Sequence, residues 1–309
     1  MVQPFLRDVT IFTSFLILVS VGITLTYMTS KVPNFAQGTF VTLGVYVGLT
    51  TVRVWRLSPY FGSIFAFLLG GVASYMMYRF AIAPQIRKNA PTTALIMTTV
   101  AIDTLFIGIF NSYADYLQLH LGIISRLFLL NDSDFVLFGE NGILYVAPVL
   151  VVVLVLTLHF LLTRTRFGIA MRAAVIRPAL ASVLGVNVDL VYAISWFTAG
   201  GLAGAAGALY PLWFISSPDV AFSSLLISGF AGSILGGLLN IYGAFLGACI
   251  MGVAELLGTV LLSGWLGTWI IGYRIAIPLT VMVVTLLILP EGITNANWRG
   301  LIRRLRVRS

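Results

Sequence analysis

Three charged residues stand inside otherwise apolar stretches of the chain: Asp103, Glu255 and Arg274. An unpaired charge in hydrocarbon costs several kcal/mol, so such residues pair with one another or mark a route for polar solutes. Glu255 lies roughly 10 Å from the end of its segment and Arg274 roughly 13 Å into the next one at the helical rise. If the two segments run antiparallel, the depths match, and the spacing predicts a Glu255–Arg274 ion pair of structural character. Asp103 has no partner that the sequence identifies; a helix end, a water-filled path and a sister subunit all remain open. An uncharged polar run, Asn34-Phe35-Ala36-Gln37-Gly38, follows Pro33. Broken backbone at membrane depth is tolerated only where it is buried in protein or lines a cavity, and such breaks often mark transport sites. Two readings stand: a short loop, or a segment that places Asn34, Phe35, Gln37 and Gly38 on a solute path.

Enzyme chemistry finds little to work with. No Gly-rich loop ends in Gly-Lys-Ser/Thr, so the chain carries no phosphate-cradling ATPase motif. His-Glu-x-x-His and Gly-x-Ser-x-Gly are absent as well. The single Cys249 can form no intrachain disulfide, and His120 and His159 are far apart, so no metal site is expected.

The elements that must position these residues are membrane helices. Of 309 residues, 59% are apolar and 9% charged, against roughly 25% charged in a soluble domain. Nine apolar segments can be counted: Val9 to Thr29, Gly38 to Val52, Tyr60 to Ala81, Thr92 to Asn111, Gly142 to Leu162, Leu190 to Trp213, Phe222 to Leu239, Ala244 to Leu262 and Trp265 to Leu289. Gly38 to Val52 is short, so the expected fold is an all-α polytopic bundle of eight or nine crossings in one domain, 1–309. The first residues do not read as a cleaved signal, because Arg7 and Asp8 cancel and the following apolar run is too long.

The net charge is +8, but the cations lie between apolar runs, which points to membrane orientation rather than nucleic-acid binding. Arg79, Arg87 and Lys88, the segment 164–189 with Arg164, Arg166, Arg172 and Arg177, and the tail 290–309 are basic and read as cytoplasmic. The stretch from Ser112 to Asn141, with Asp115, Asp132, Asp134 and Glu140 against Arg126, reads as external. Three crossings before Arg87 put the N-terminus outside; if Gly38 to Val52 only dips into the bilayer, it is inside. Small residues four apart (Gly200, Gly204 and Ala208; Gly232 and Gly236; Gly243 and Gly247) predict close helix packing.

Segment 164–189 carries the clearest local signals. Arg177-Pro178 interrupts one helix and starts another, and Gly185 can end the second with a left-handed cap. Two short amphipathic helices on the membrane surface are predicted. They serve either as an interfacial anchor or as a docking element for a partner.

The run Arg166-Phe167-Gly168 to Arg172-Ala173, followed by Ala181-x-x-Leu184-Gly185-Val186-Asn187, resembles the permease subunits of branched-chain amino acid ABC importers, the LivH/LivM family. The resemblance continues through Ala203-Gly204-Ala205-Ala206-Gly207-Ala208-Leu209, Gly236-Gly237, Ala254-Glu255 and Pro290-x-Gly292. Near the front, Asn34-Phe35-Ala36-Gln37-Gly38 and Leu43-Gly44-x-Tyr46 are similar to the LivH half. Gln37 stands where the family often has His, and Asp103 where an apolar residue is expected, which bears on the solute.

The resemblance implies a multi-pass subunit of the cytoplasmic membrane that binds no cofactor itself. ATP is used by two cytoplasmic ATPase subunits. A sister permease completes the path, as a heterodimer if the LivH-like front end is a guide, and an extracytoplasmic solute-binding protein delivers the solute. It further implies an ATPase-coupling loop at Arg166, Gly168, Arg172, Pro178, Ala181, Leu184 and Gly185. Alternatives are a family permease for urea, amides or another small solute, and a stand-alone secondary transporter, for which Asp103 would be the coupling site.

Overall fold

The computed structural model describes residues 2–218, 220–289 and 292–294. The basic tail and Pro290 therefore lie outside the described residues. The chain is an all-helical bundle with one two-stranded ribbon. Its α-helices are α1 (Val2–Ser30), α2 (Gln37–Arg53), α3 (Pro59–Met77), α4 (Ala83–Arg87), α5 (Thr92–Leu121), α6 (Ile143–Arg164), α7 (Arg166–Ile176), α8 (Pro178–Val183), α9 (Val188–Leu209), α10 (Val220–Gly236), α11 (Ile241–Leu266) and α12 (Ala276–Ile288). Six helical stretches among the described residues are long and apolar enough to cross a membrane, and two shorter apolar helices accompany them.

Two helices form the axis. α1 is buried along most of its length, as is α9, and the two pack on each other. Around them stand α2, α3, α10 and α11. Small residues set the spacing. A Cβ added to Gly204 would lie 2.3 Å from the Ala66 carbonyl oxygen, and one on Gly207 would lie 1.9 Å from that of Val41. Any side chain there would force α9 away from α3 and α2. The close approach lets Ser74 Oγ donate to the Trp196 carbonyl at 2.7 Å, across α3 and α9. Gly236 and Gly243 do the same between α10 and α11.

α5 and α6 are as apolar as the core helices but face outward over most of their surface. In water that would be a liability; in hydrocarbon it is the expected finish of a helix. One end of the bundle carries three ion pairs, Arg7–Glu140, Arg53–Asp132 and Arg126–Asp115. The first two join the start of α1 and the end of α2 to the connection between α5 and α6, the third ties that connection to α5, and the connection's ribbon pairs Val136–Leu137 with Glu140–Asn141. The start of α1 therefore sits at the same end as the acidic connection, which agrees with three passes before Arg87.

Three boundaries differ from the sequence expectation. α5 continues to Leu121, so the first ten residues of the stretch 112–141 are helix, closed by Gly122 at φ +64°. Trp265 belongs to α11, not to the last segment. That segment is broken: Gly267 has φ +95°, residues 268–273 form a 3-10 turn, and α12 starts only at Ala276. The break escapes hydropathy because its residues, among them Trp269, Ile270, Ile271 and Tyr273, are themselves apolar.

Candidate functional site

Two places where the described chain departs from regular membrane helix hold the residues singled out in the sequence. The first is the connection 31–36 between α1 and α2. Lys31 turns the chain at φ +55°, and the chain then runs back along α1. Gln37 Nε2 donates to the Ala199 carbonyl at 2.9 Å, and a Cβ placed on Gly22 would lie 2.5 Å from that same nitrogen. Gly22 precedes the end of α1 at Ser30 by eight residues, about 12 Å of rise. The first turn of α2 thus lies well inside the bundle rather than at its surface.

A helix that starts inside a bundle leaves backbone N–H groups without intrahelical partners. Side chains and carbonyls gather around this one. Asn34 and Gln37 are fully buried, with Asn34 Nδ2 donating to Gln37 Oε1 at 3.3 Å and Asn34 Oδ1 accepting from Ala36 N at 3.2 Å. Gln37 N reaches the Asn34 carbonyl at 3.3 Å and Phe40 N that of Ala36 at 3.4 Å. Gly38 is buried, and its carbonyl accepts from Thr42 Oγ1 at 3.2 Å. Phe35 is the outlier: it is 36% exposed and lies 5.1 Å from the Phe230 ring of α10.

Asp103, which has no partner legible in the sequence, belongs to this site. It is buried and accepts from Thr39 Oγ1, while Thr99 Oγ1, one turn earlier on α5, accepts from Phe35 N at 3.4 Å. Two positions four apart on α5 thus hold two positions four apart at the front of α2. Thr99 and Thr39 went unnoticed in the sequence. The only available signal was the i, i+4 spacing of Thr99 and Asp103 on one helix face.

The second place is the break before α12. Arg274 sits where the 3-10 turn ends, and its Nε donates to Glu255 Oε1 of α11 at 2.6 Å. The Glu255 side chain is 2% exposed. The guanidinium also lies 4.2 Å from the Phe12 ring centroid, which ties it to α1. Phe35, Gln37 and Asp103 are brought together; Glu255 and Arg274 form a separate pair.

At the end of the bundle opposite the three ion pairs, segment 164–189 folds as α7 and α8, broken at Arg177. Thr165 caps α7 by accepting from Gly168 N at 3.4 Å. Gly168 can only be glycine, since a Cβ there would lie 1.9 Å from the Leu162 carbonyl oxygen. Arg172 Nη1 donates to that same carbonyl at 3.1 Å and fixes α7 against the end of α6, while Arg166 is exposed. Pro178 opens α8, and Gly185 closes it at φ +85°, with Val186 N returning to the Ala181 carbonyl at 3.0 Å. Ala181 is buried, but Leu180, Val183 and Leu184 are exposed, the last two at 82% each. A short stiff helix thus presents an apolar knob on an arginine-rich surface. Among the described residues no group of His, Cys, Asp or Glu could hold a metal ion.

Comparison with known proteins bears on the whole chain. Residues 5–289 match the family model described as branched-chain amino acid transport system / permease component. A Methanocaldococcus jannaschii protein named "Probable branched-chain amino acid transport permease protein LivH" is 39% identical over 300 residues, covering 97% of this chain and 95% of its own. The Escherichia coli K12 high-affinity branched-chain amino acid permease protein LivH is 26% identical, covering 89% and 90%. The Pseudomonas aeruginosa BraD permease protein is 25% identical with the same coverage. In fold, the chain is similar to PsaBC from Streptococcus pneumoniae in complex with Fab, with a TM-score of 0.50 at 11% identity over 93% of this chain and 92% of that one.

Proposed function

The chain belongs to the permease components of branched-chain amino acid transport systems, a multi-pass membrane family, and from that premise we propose how its parts divide the work. It is a transport subunit and not itself an enzyme. We propose that the nine helices α1, α2, α3, α5, α6, α9, α10, α11 and α12 each traverse all or part of the bilayer, with the start of α1 outside and 164–189 inside. The charge distribution supports this, since arginines crowd the α7–α8 end and carboxylates the other.

The proposed solute path runs past the front of α2. One observation carries it: a helix N-terminus that starts inside the bundle, ringed by Asn34, Gln37, Gly38 and the carboxylate of Asp103. Helix N-termini favour negative groups and a buried carboxylate favours positive ones. A zwitterionic amino acid has both, so the arrangement suits branched-chain amino acids, and Phe35 supplies apolar surface for their side chains. A neutral amide such as urea has no full charge to offer Asp103 and fits less well.

ATP is hydrolysed by two partner subunits in this reading. Their motion enters through α8, flanked by Arg166, Gly168 and Arg172, with Pro178, Ala181, Leu184 and Gly185 defining its shape. A sister permease and an extracytoplasmic solute-binding protein complete the assembly, and Glu255–Arg274 holds the outer break shut. The test uses the reconstituted transport complex in vesicles. Gly185→Val forces a β-branched residue into left-handed backbone, which is strongly disfavoured. Uptake of radiolabelled leucine should fall at least tenfold while ATP hydrolysis continues; coupled uptake at the wild-type rate would sink the α8 assignment.

A further inference from the structure

Between α3 and α4 the helix widens: residues 78–82 form a π-turn, with Ala83 N bonded to the Tyr78 carbonyl five residues back. Pro84 explains why it forms there. Proline has no N–H to give and its ring crowds the carbonyl four residues earlier; a widened turn takes up that misfit. The consequence is a change of register. Tyr78 and Arg87 are nine residues apart, which in an unbroken α-helix at about 100° per residue places them about 180° apart, on opposite faces. One residue absorbed by the bulge reduces that to about 80°, and both then reach the same carboxylate. Tyr78 Oη donates to Asp189 Oδ1 at 3.0 Å, and Arg87 Nη2 pairs with Asp189 Oδ2.

Asp189 lies in the first turn of α9, directly after α8. Asn187 caps that turn, its Oδ1 accepting from Leu190 N at 3.0 Å. A few residues therefore separate the exposed knob of α8 from a carboxylate held by the π-turn and α4. Beyond it, Tyr78 packs on Trp196 at 5.8 Å, and Ser74 bonds the Trp196 carbonyl, so the hold continues up the α3–α9 interface.

We infer that Tyr78, Arg87 and Asp189 are positioning residues for transport, a latch aligned by the π-turn that passes displacement of α8 into the paired helices α3 and α9. The inference rests on reading α8 as the place where ATPase motion enters. With the latch intact, α8 moves α9 and α3 as one body. Without it, α8 swings on the loop that follows Gly185 and ATP is spent without carriage.

The experiment measures leucine carried per ATP hydrolysed by the reconstituted complex. Asp189→Asn and Arg87→Ala should each lower that ratio about tenfold with hydrolysis retained. The exchanged pair, Arg87→Asp with Asp189→Arg, should carry at least threefold more per ATP than either single variant. Register supplies a second, independent arm. Deleting Ala81 together with Pro84→Ala, which removes the cause of the widened turn, converts it to α-helix at eight-residue spacing, still about 80°, and should keep the ratio within about twofold of wild type. Inserting one alanine after Ile82 turns Arg87 a further 100° or so and should match Asp189→Asn. Melting of each purified complex checks that it is folded. Single variants with wild-type ratios, or the Ala81 deletion with Pro84→Ala as damaging as the insertion, overturn the latch. Wild-type vesicles without ATP-driven uptake overturn the transport reading instead.

Discussion

The two breaks, at 31–36 and 267–275, solve the same problem with different chemistry. Each follows a long helix, 29 residues in α1 and 26 in α11, and each precedes a short one, 17 residues in α2 and 13 in α12. The first is folded inward and stitched by neutral amides and hydroxyls, from Asn34, Gln37, Thr39 and Thr99, with Asp103 the one charged group among these bonds. The second faces outward, with Trp269 and Tyr273 more than half exposed, and is held by the Glu255–Arg274 ion pair, with the Arg274 guanidinium also over the Phe12 ring. A network of small neutral bonds can loosen one member at a time. An ion pair is all or nothing, because removing one partner strands the other charge. That contrast suits a break that must admit a solute and a break that must stay closed.

The comparison can be broken at its strongest point first. Glu255→Ala leaves the Arg274 guanidinium without its counter-charge and should destabilise the subunit by about 3–5 kcal/mol, seen as a collapse in folded yield and melting temperature. Replacing both partners with apolar residues, Glu255→Leu with Arg274→Met, should recover most of that loss. A double variant no better than the single one would mean that the pair does more than neutralise itself.

At the inner break the expected effect moves from stability to transport. Asp103→Asn keeps the shape and an acceptor for Thr39 but removes the charge. Leucine uptake should fall several-fold, mainly as a raised half-saturating concentration, with melting little changed. An unaltered concentration dependence would remove Asp103 from the path. The smallest effect belongs to Thr39→Val, which deletes one hydroxyl bond to the Asp103 carboxylate and should cost about 1.5–3 kcal/mol in thermal stability. A loss as large as that of Glu255→Ala would erase the distinction between the two breaks.

Much of this was legible in the residues. Pro178 and Gly185 delimit α8 because a ring that fixes φ and a residue free to adopt positive φ act locally, whatever surrounds them. That Glu255 and Arg274 would pair was legible from two opposite charges in adjacent apolar segments, but the depth counted for Arg274 at helical rise was not, because 268–273 form a 3-10 turn and α12 starts only after it. Nor was the partner of Asp103, since Thr39 lies 64 residues away and reaches it only because the chain turns back at Lys31. The break at Gly267 was hidden by the apolar residues around it.

By itself, then, the sequence determined that this chain lives in a membrane as a helical bundle, how its loops are charged, and where the α7–α8 segment bends. Those follow from composition, hydropathy and single-residue backbone preferences, all of which act over a few residues. Only the tertiary structure decided that α2 begins inside the bundle beside Asp103, that the last apolar segment is interrupted, and that a π-turn sets Tyr78 and Arg87 on one carboxylate. Each depends on which helices pack together, and the glycine contacts along α9 fix that packing across distances no local pattern encodes.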